Sequence, residues 1–211
     1  MIRQTILFAP LLLAGCGQTA PEAEVAPPAP INEAMVTARS MAVAEAFQGQ
    51  LQAQLKDALR AGGPMQAVTV CSQVAPAIAA QQSDASGAVV HRVSDRNRNP
   101  GASLDDNVQP YYEQLAAAPM DGDKPAHRIW RSGEGAQARI NYLSAIPMKE
   151  EPCSLCHGTN VSPGLQEHIR RLYNGDKATG FIPGELRGAL HISWPAEAFD
   201  EAYKAQGDDA G

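Results

Sequence analysis

The stretch Cys153-Ser154-Leu155-Cys156-His157 constrains this chain more than any other. Two cysteines separated by two residues form one short turn, so both sulfurs can reach the two vinyl groups on one edge of a porphyrin. The adjacent histidine is then carried beneath the ring, where an imidazole nitrogen can bind iron as the proximal ligand. Two thioether bonds hold such a cofactor covalently, so a small domain need not enclose it completely. The spacing predicts one covalent haem c, carried by Cys153, Cys156 and His157. A redox C-x-x-C, half of a zinc ribbon and chance are the competing sources of the pattern. A zinc ribbon usually supplies a second ligand pair, and the sequence contains no second C-x-x-C. A thioredoxin-like site would sit near a βαβ pattern. Here the motif follows an apolar stretch ending in Ile146-Pro147 and precedes Gly158-Thr159-Asn160, which reads as loop.

The N-terminus reads as an export address. Arg3 supplies the positive region, Ile6 to Leu13 the apolar core, and Leu13-Ala14-Gly15-Cys16 the processing site. The apolar run is far too short to span a bilayer. Leu-Ala-Gly-Cys resembles a bacterial lipobox, which implies that residues 1–15 are a signal peptide and that Cys16 becomes a lipidated first residue. An ordinary small-residue cleavage site is the alternative. Both readings export the chain to the compartment where c-type haem attachment is completed. Resemblance to lipoproteins with Gly after the cysteine favours a periplasm-facing anchor in the outer membrane over the inner one. Residues 16–32, with Pro21, Pro27, Pro28 and Pro30 among Ala and Glu, form an extended tether.

At 211 residues, with 44% hydrophobic and 19% charged residues, the remainder suits one globular domain over 33–200 with a short tail at 201–211. The net charge of −6 gives no basic footprint for nucleic acid. Cys16 goes to lipid, Cys153 and Cys156 to haem, and Cys71 is left over; a lone thiol in an oxidising compartment calls for an explanation.

Asn32 can cap a helix whose Phe47, Leu51, Leu55 and Leu59 make one apolar stripe. Ala61-Gly62-Gly63-Pro64 stops it and starts a second helix to about Gln82, with Cys71 on the packing face and Pro76 imposing a kink or early break. A strand follows at Ala88–Ser94, with Val89, His91 and Val93 on one face and Arg92 on the other. A helix over about Leu104–Ala118 is limited at its start by Pro110. Two strands, Ala126–Arg131 and Ala138–Ile146, precede the motif. A short helix at Glu167–Tyr173 and a last strand at Arg187–Trp194 follow it. The pattern predicts an α+β fold, an antiparallel sheet covered on one side by the N-terminal helices.

Several stretches in this order resemble a known family. They are the Val70-Cys71 helix, the strand ending Arg92-Val93-Ser94 before Arg98-Asn99-Pro100, and Ala145-Ile146-Pro147 leading into the motif and Gly158. Asp176-Lys177-Ala178-Thr179-Gly180-Phe181 and Gly184 to Leu190 complete the set. Together they are similar to the mono-haem c-type cytochrome domain with a PAS-like fold, a family that also occurs as the extracytoplasmic sensor part of bacterial signalling proteins. The resemblance covers roughly residues 40–195. It implies a PAS-like sheet and a second axial iron ligand from the helix before the first strand, a position that Cys71 matches. The polar loop Ser103–Val108 is longer than the family pattern.

A buried small hydrophobe is the plain alternative for Cys71. Met148, Met120, His127 and His91 are rival sixth ligands. His127 reads as a satisfied core histidine, while His191 and His168 read as solvated. The arginines from 92 to 98 offer guanidinium forks for haem propionates. No Ser-His-Asp or metal-carboxylate constellation suggests a hydrolase. The expected function is electron transfer or redox sensing by a membrane-tethered, six-coordinate haem protein that is not an enzyme and needs a redox or signalling partner. Alternatives are a gas- or peroxide-responsive haem from which Cys71 dissociates, and a haem-free binding module with a disulfide.

Overall fold

The computed structural model describes residues 30–200. The leader, Cys16, most of the tether and the C-terminal tail lie outside that range. Helix α1 (Glu33–Thr69) opens on the Asn32 cap, whose side chain accepts from the Met35 amide at 3.1 Å. Gly62 and Gly63 leave the helical region, Gly63 at φ 68°, where only glycine sits without strain, and Pro64 restarts the helix. The stop and restart expected at 61–64 is therefore present as a kink in the helical rod.

The rod then widens. Val70–Val74 is a π-helical turn, in which the Ala75 amide donates to Val70 O, five residues back. The cause lies just downstream: Pro76 has no N–H to give to the carbonyl four residues before it, and α2 (Ala75–Ser86) begins with that proline in its first turn. Cys71 sits in the widened turn.

Four strands form one antiparallel sheet: β1 (Val89–Val93), β4 (His127–Ser132), β5 (Arg139–Pro147) and β6 (Leu186–Pro195), in the order β1-β6-β5-β4. First and last strands are thus neighbours, with Arg92 opposite Leu190 and Val93 opposite Ala189. A small hairpin, β2 (Met120–Asp121) and β3 (Lys124–Pro125), stands apart from the main sheet. The other helices are α3 (Gln109–Ala117), α4 (Cys153–His157) and α5 (Pro163–Leu172).

One sheet face, carrying Val90, Ile140, Tyr142, Leu190, Ile192 and Trp194, packs with Phe47, Val43 and Val36 of α1 and Ile78 of α2. Burying a side chain such as Phe47 contributes about 1.5–3 kcal/mol. Trp194 Nε1 donates to Ser40 Oγ at 2.9 Å, and the Arg39 guanidinium lies 4.5 Å from the Trp194 ring centroid, so α1 is latched to the sheet by polar contacts too.

The sheet is not one-sided. Its second face carries Val93, Leu143, Ala145, Ala189 and Trp130, which pack with Tyr112 and Leu115 of α3. Two-residue alternation predicts which residues share a face, and it does so correctly on β6; it says nothing about whether the second face is covered. This corrects the expectation for His191, which is 6% exposed and bonded through Nε2 to Asn141 Oδ1 at 3.0 Å. His191 also stacks 5.6 Å from Trp130 and meets His91 edge-on at 4.9 Å. Burial first, then the neighbouring His91, pushes its pKa down to about 4. Val89, by contrast, is exposed, and α3 begins at Gln109, later than expected, because Asp105 caps the turn before it through Val108 N at 3.0 Å.

Candidate functional site

One cavity between α1, the end of β1, the start of β6 and the C-x-x-C-H helix is lined by Cys71, Cys153, Cys156 and His157 together. These residues lie up to 86 positions apart (71 to 157), and the fold brings all four predicted ligands to one place. They line a volume without converging on a point. Among the described residues no group of three or more His, Cys, Asp or Glu is placed to hold a metal ion.

The apolar stripe of α1 has a different fate from the one expected. Phe47 enters the core, whereas Leu51, Leu55 and Leu59 stay half-buried and form one wall of the cavity. A row of leucines left partly open beside polar groups is the wall that a large, flat, apolar ligand fits.

His157 is held by backbone. Its Nδ1 lies 2.7 Å from Ala178 O, which makes Nδ1 the protonated donor and leaves the Nε2 lone pair for a metal. Phe181 N donates to His157 O at 3.0 Å and Gly180 N to Gly158 O at 2.9 Å, so residues 178–181 run alongside the motif as a brace. Burial, and then the guanidinium charges of Arg187 and Arg98, hold the imidazole well below its ordinary pKa, in the neutral form that ligates. Gly158 ends α4 by turning to extended backbone, and there is no room at it for anything larger: a Cβ there would stand 2.6 Å from Ser154 O.

Arg98 pins the brace to the motif. It is 6% exposed, its Nε donates to Asp176 Oδ1 at 3.0 Å, and its Nη2 donates to Cys156 O at 2.8 Å and Ala178 O at 3.2 Å. Asp176 in turn accepts from the Ala178 amide at 2.9 Å. Of the arginines at 92–98, then, Arg98 is satisfied by protein groups. Arg96 is as well, through Thr179 O, Glu185 and the Phe181 ring at 3.6 Å. The sequence gives no sign of the buried Arg98–Asp176 pair, because nothing in residue spacing signals an ion pair across 78 positions.

Cys156 packs beside Val68, Val161, Leu165 and Tyr173, and burial pushes its thiol up to about 11 despite the opposing pull of Arg98. Cys153 packs beside Met148, Ala178 and Phe181. Of the rival sixth ligands, Met148 lines the cavity, and it is buried. Met120 is exposed on the hairpin, His127 stacks on Tyr142 at 5.2 Å, and His91 meets His191 on the sheet face turned away from α1 and α2. His168 is half-buried rather than solvated, with Nε2 shielded and unpartnered.

A family model described as Tll0287-like: Tll0287 matches residues 29–195. The chain belongs to the Tll0287-like family. Among solved structures, one described as the crystal structure of the cyanobacterial heme-protein Tll0287 is similar to it. The two share 20% identity over 79% of this chain and 97% of that one, with a TM-score of 0.53, a likeness of fold. No curated protein matches the chain. The Tll0287-like match agrees with the α+β reading and spans the helices, sheet and motif described above. Among the described residues no helix is long and apolar enough to cross a membrane.

Proposed function

We propose that this chain is an exported c-type haem protein that transfers electrons or senses redox state, tethered to the bacterial outer membrane through lipidated Cys16. The observation that carries the reading is the shared cavity of Cys71, Cys153, Cys156 and His157, with His157 Nδ1 already committed to Ala178 O. Membership of a family whose solved relative is a haem protein supports it, and the neighbouring first and last strands accord with a PAS-like sheet.

The residues fit the group. Cys153 and Cys156 would hold it by thioether bonds, His157 Nε2 would be the proximal ligand and Cys71 the distal one, and Leu51, Leu55 and Leu59 would cover its apolar surface. When bound, haem supplies a reversible one-electron change at iron. The chain's own contribution is to hold that change in place. The 178–181 brace fixes the tautomer and orientation of His157, and Arg98 fixes the turn that carries the cysteines. Cys71 would hold the group through its sulfur, and such a sulfur ligand would offset ferric charge and favour a low reduction potential. Cys71 and His157 would both be committed to the group, leaving substrate no open site, which suits electron transfer or sensing rather than an enzyme. A redox or signalling partner is required, and no nucleic acid is involved.

The test is the ferric and ferrous absorption spectrum of protein matured with the c-type haem machinery, beside Cys71→Ser. The reading expects a low-spin thiolate spectrum that Cys71→Ser abolishes. An unchanged mutant spectrum removes Cys71 from the iron and turns attention to Met148.

A further inference from the structure

Three arginines line the cavity, and they are not equivalent. Arg98 spends its charge on Asp176 and its remaining donors on two carbonyls. Arg92 is half-buried on the face of β1 that shares the α1 side with Leu190 and Ile192, and its guanidinium has no hydrogen-bond or ion-pair partner among the described residues. Arg187, at the start of β6, reaches Ser94 Oγ at 3.4 Å and lies 5.2 Å from the Phe181 ring centroid, but its Nε is shielded from solvent with no acceptor. No carboxylate among the described residues makes an ion pair with either.

Two guanidiniums at one cavity, one with an orphaned buried N–H and neither in an ion pair, are an unfavourable arrangement by themselves. Burial, and then the charges of Arg92 and Arg98, push Arg187 down to about 10, a measure of that crowding. The arrangement becomes favourable when a ligand brings two anionic oxygen groups, because the guanidinium fork matches a carboxylate and the bonds are charge-assisted.

We infer that Arg92 and Arg187 are the clamp for the two propionate carboxylates of the haem, leaving Arg98 and Arg96 as positioning residues for the motif and its brace. The inference rests on the haem reading above and assigns the propionate-binding residues within it. Arg187 is set for the role by Ser94 and Phe181, which orient its side chain without cancelling its charge.

The experiment uses haem-loaded protein as wild type, Arg92→Gln, Arg187→Gln and Arg187→Lys. Arg170→Gln serves as a charge control on the exposed side of α5, where Arg170 pairs with Glu167. The readouts are bound haem after denaturation, the ferric–ferrous ratio against mediators at fixed poise, and its pH dependence. Removing a cation within contact range of a carboxylate raises its pKa by about 1–3 units. Each Gln variant therefore retains its haem, shifts the balance toward ferric by about tenfold, and moves the pH dependence of the ratio upward by about 1–3 units from that of wild type. Arg187→Lys, which keeps charge and loses the fork, falls between. Ratios and pH profiles in both Gln variants indistinguishable from Arg170→Gln, with haem still bound, overturn the clamp while leaving the haem reading intact. Wild type without covalent haem overturns both. Should Arg187→Gln fail to mature, Arg92→Gln and Arg187→Lys decide the question by the same criteria.

Discussion

Asp176→Asn tests the strut behind the motif. The substitution keeps the size of the side chain and an oxygen for the Ala178 amide, and removes the charge facing Arg98. Both partners are nearly sealed, with side chains 5% and 9% exposed. An exposed ion pair would be worth at most about 1 kcal/mol. A buried guanidinium that loses its partner is left as an uncompensated charge, which typically costs about 3–5 kcal/mol. Two carbonyls, Cys156 O and Ala178 O, still accept from Arg98, so the lower end, about 3 kcal/mol, is expected here. Against a total stability of roughly 5–15 kcal/mol this is a large fraction. Urea unfolding followed by circular dichroism gives the number, provided the m-value is unchanged. With Arg98→Met and the double variant the cycle is complete: no buried charge remains in the double, so its loss falls short of the sum of the two single losses by more than about 1.5 kcal/mol. A loss below about 1 kcal/mol in Asp176→Asn, or simple additivity in the double variant, would refute the reasoning that this pair braces the motif.

Other consequences follow from single contacts. His191 has its pKa lowered from the ordinary 6.5 to about 4, so unfolded chain takes up a proton between those values that folded chain does not. Stability is unaffected above pH 6.5 and falls as pH drops toward 4, by up to about 3 kcal/mol at the bottom of the window. His191→Gln should flatten that slope in urea titrations at pH 7.5 and 4.5, and an unchanged slope would locate the acid sensitivity elsewhere. Gly158→Ala puts a Cβ against the Ser154 backbone, which cannot swing aside, and should destabilise the protein by about 1–3 kcal/mol and lower the yield of haem-loaded chain. Wild-type stability and yield would mean the turn has room to open. Trp194→Phe removes the donor to the buried Ser40 hydroxyl and should cost about 1–3 kcal/mol in thermal or urea unfolding; a cost under about 0.5 kcal/mol would show that Ser40 finds another donor.

The site was legible to the extent that it depends on local chemistry. The motif Cys153 to His157 carries its own meaning, the leftover Cys71 drew attention by cysteine arithmetic, and both line the same cavity. The break at Gly62-Gly63-Pro64 and the disturbance before Pro76 follow from backbone rules that act over a few residues, and both are present. What the sequence did not show depends on the third dimension. Alternation on β6 groups Leu190 with Ile192 and sets His191 apart, but only the packing of α3 and the pairing with Asn141 make His191 a buried residue. The spacing of Leu51, Leu55 and Leu59 is the same whether the stripe meets core or cavity. Arg187 gave no sign at all: a charged residue opening a strand is unremarkable until it is found buried without an ion pair. The β2–β3 hairpin, with two residues in each strand, is too short for any period to register.

The central claim is covalent haem on Cys153 and Cys156, and the most direct measurement is the intact mass of the mature chain after denaturation. The protein should be produced with the c-type haem attachment machinery, beside Cys153→Ala with Cys156→Ala. The account predicts a mass increase of one haem that survives unfolding in the wild type and is absent from the double variant. A wild-type chain that unfolds at its bare polypeptide mass under those conditions would contradict it.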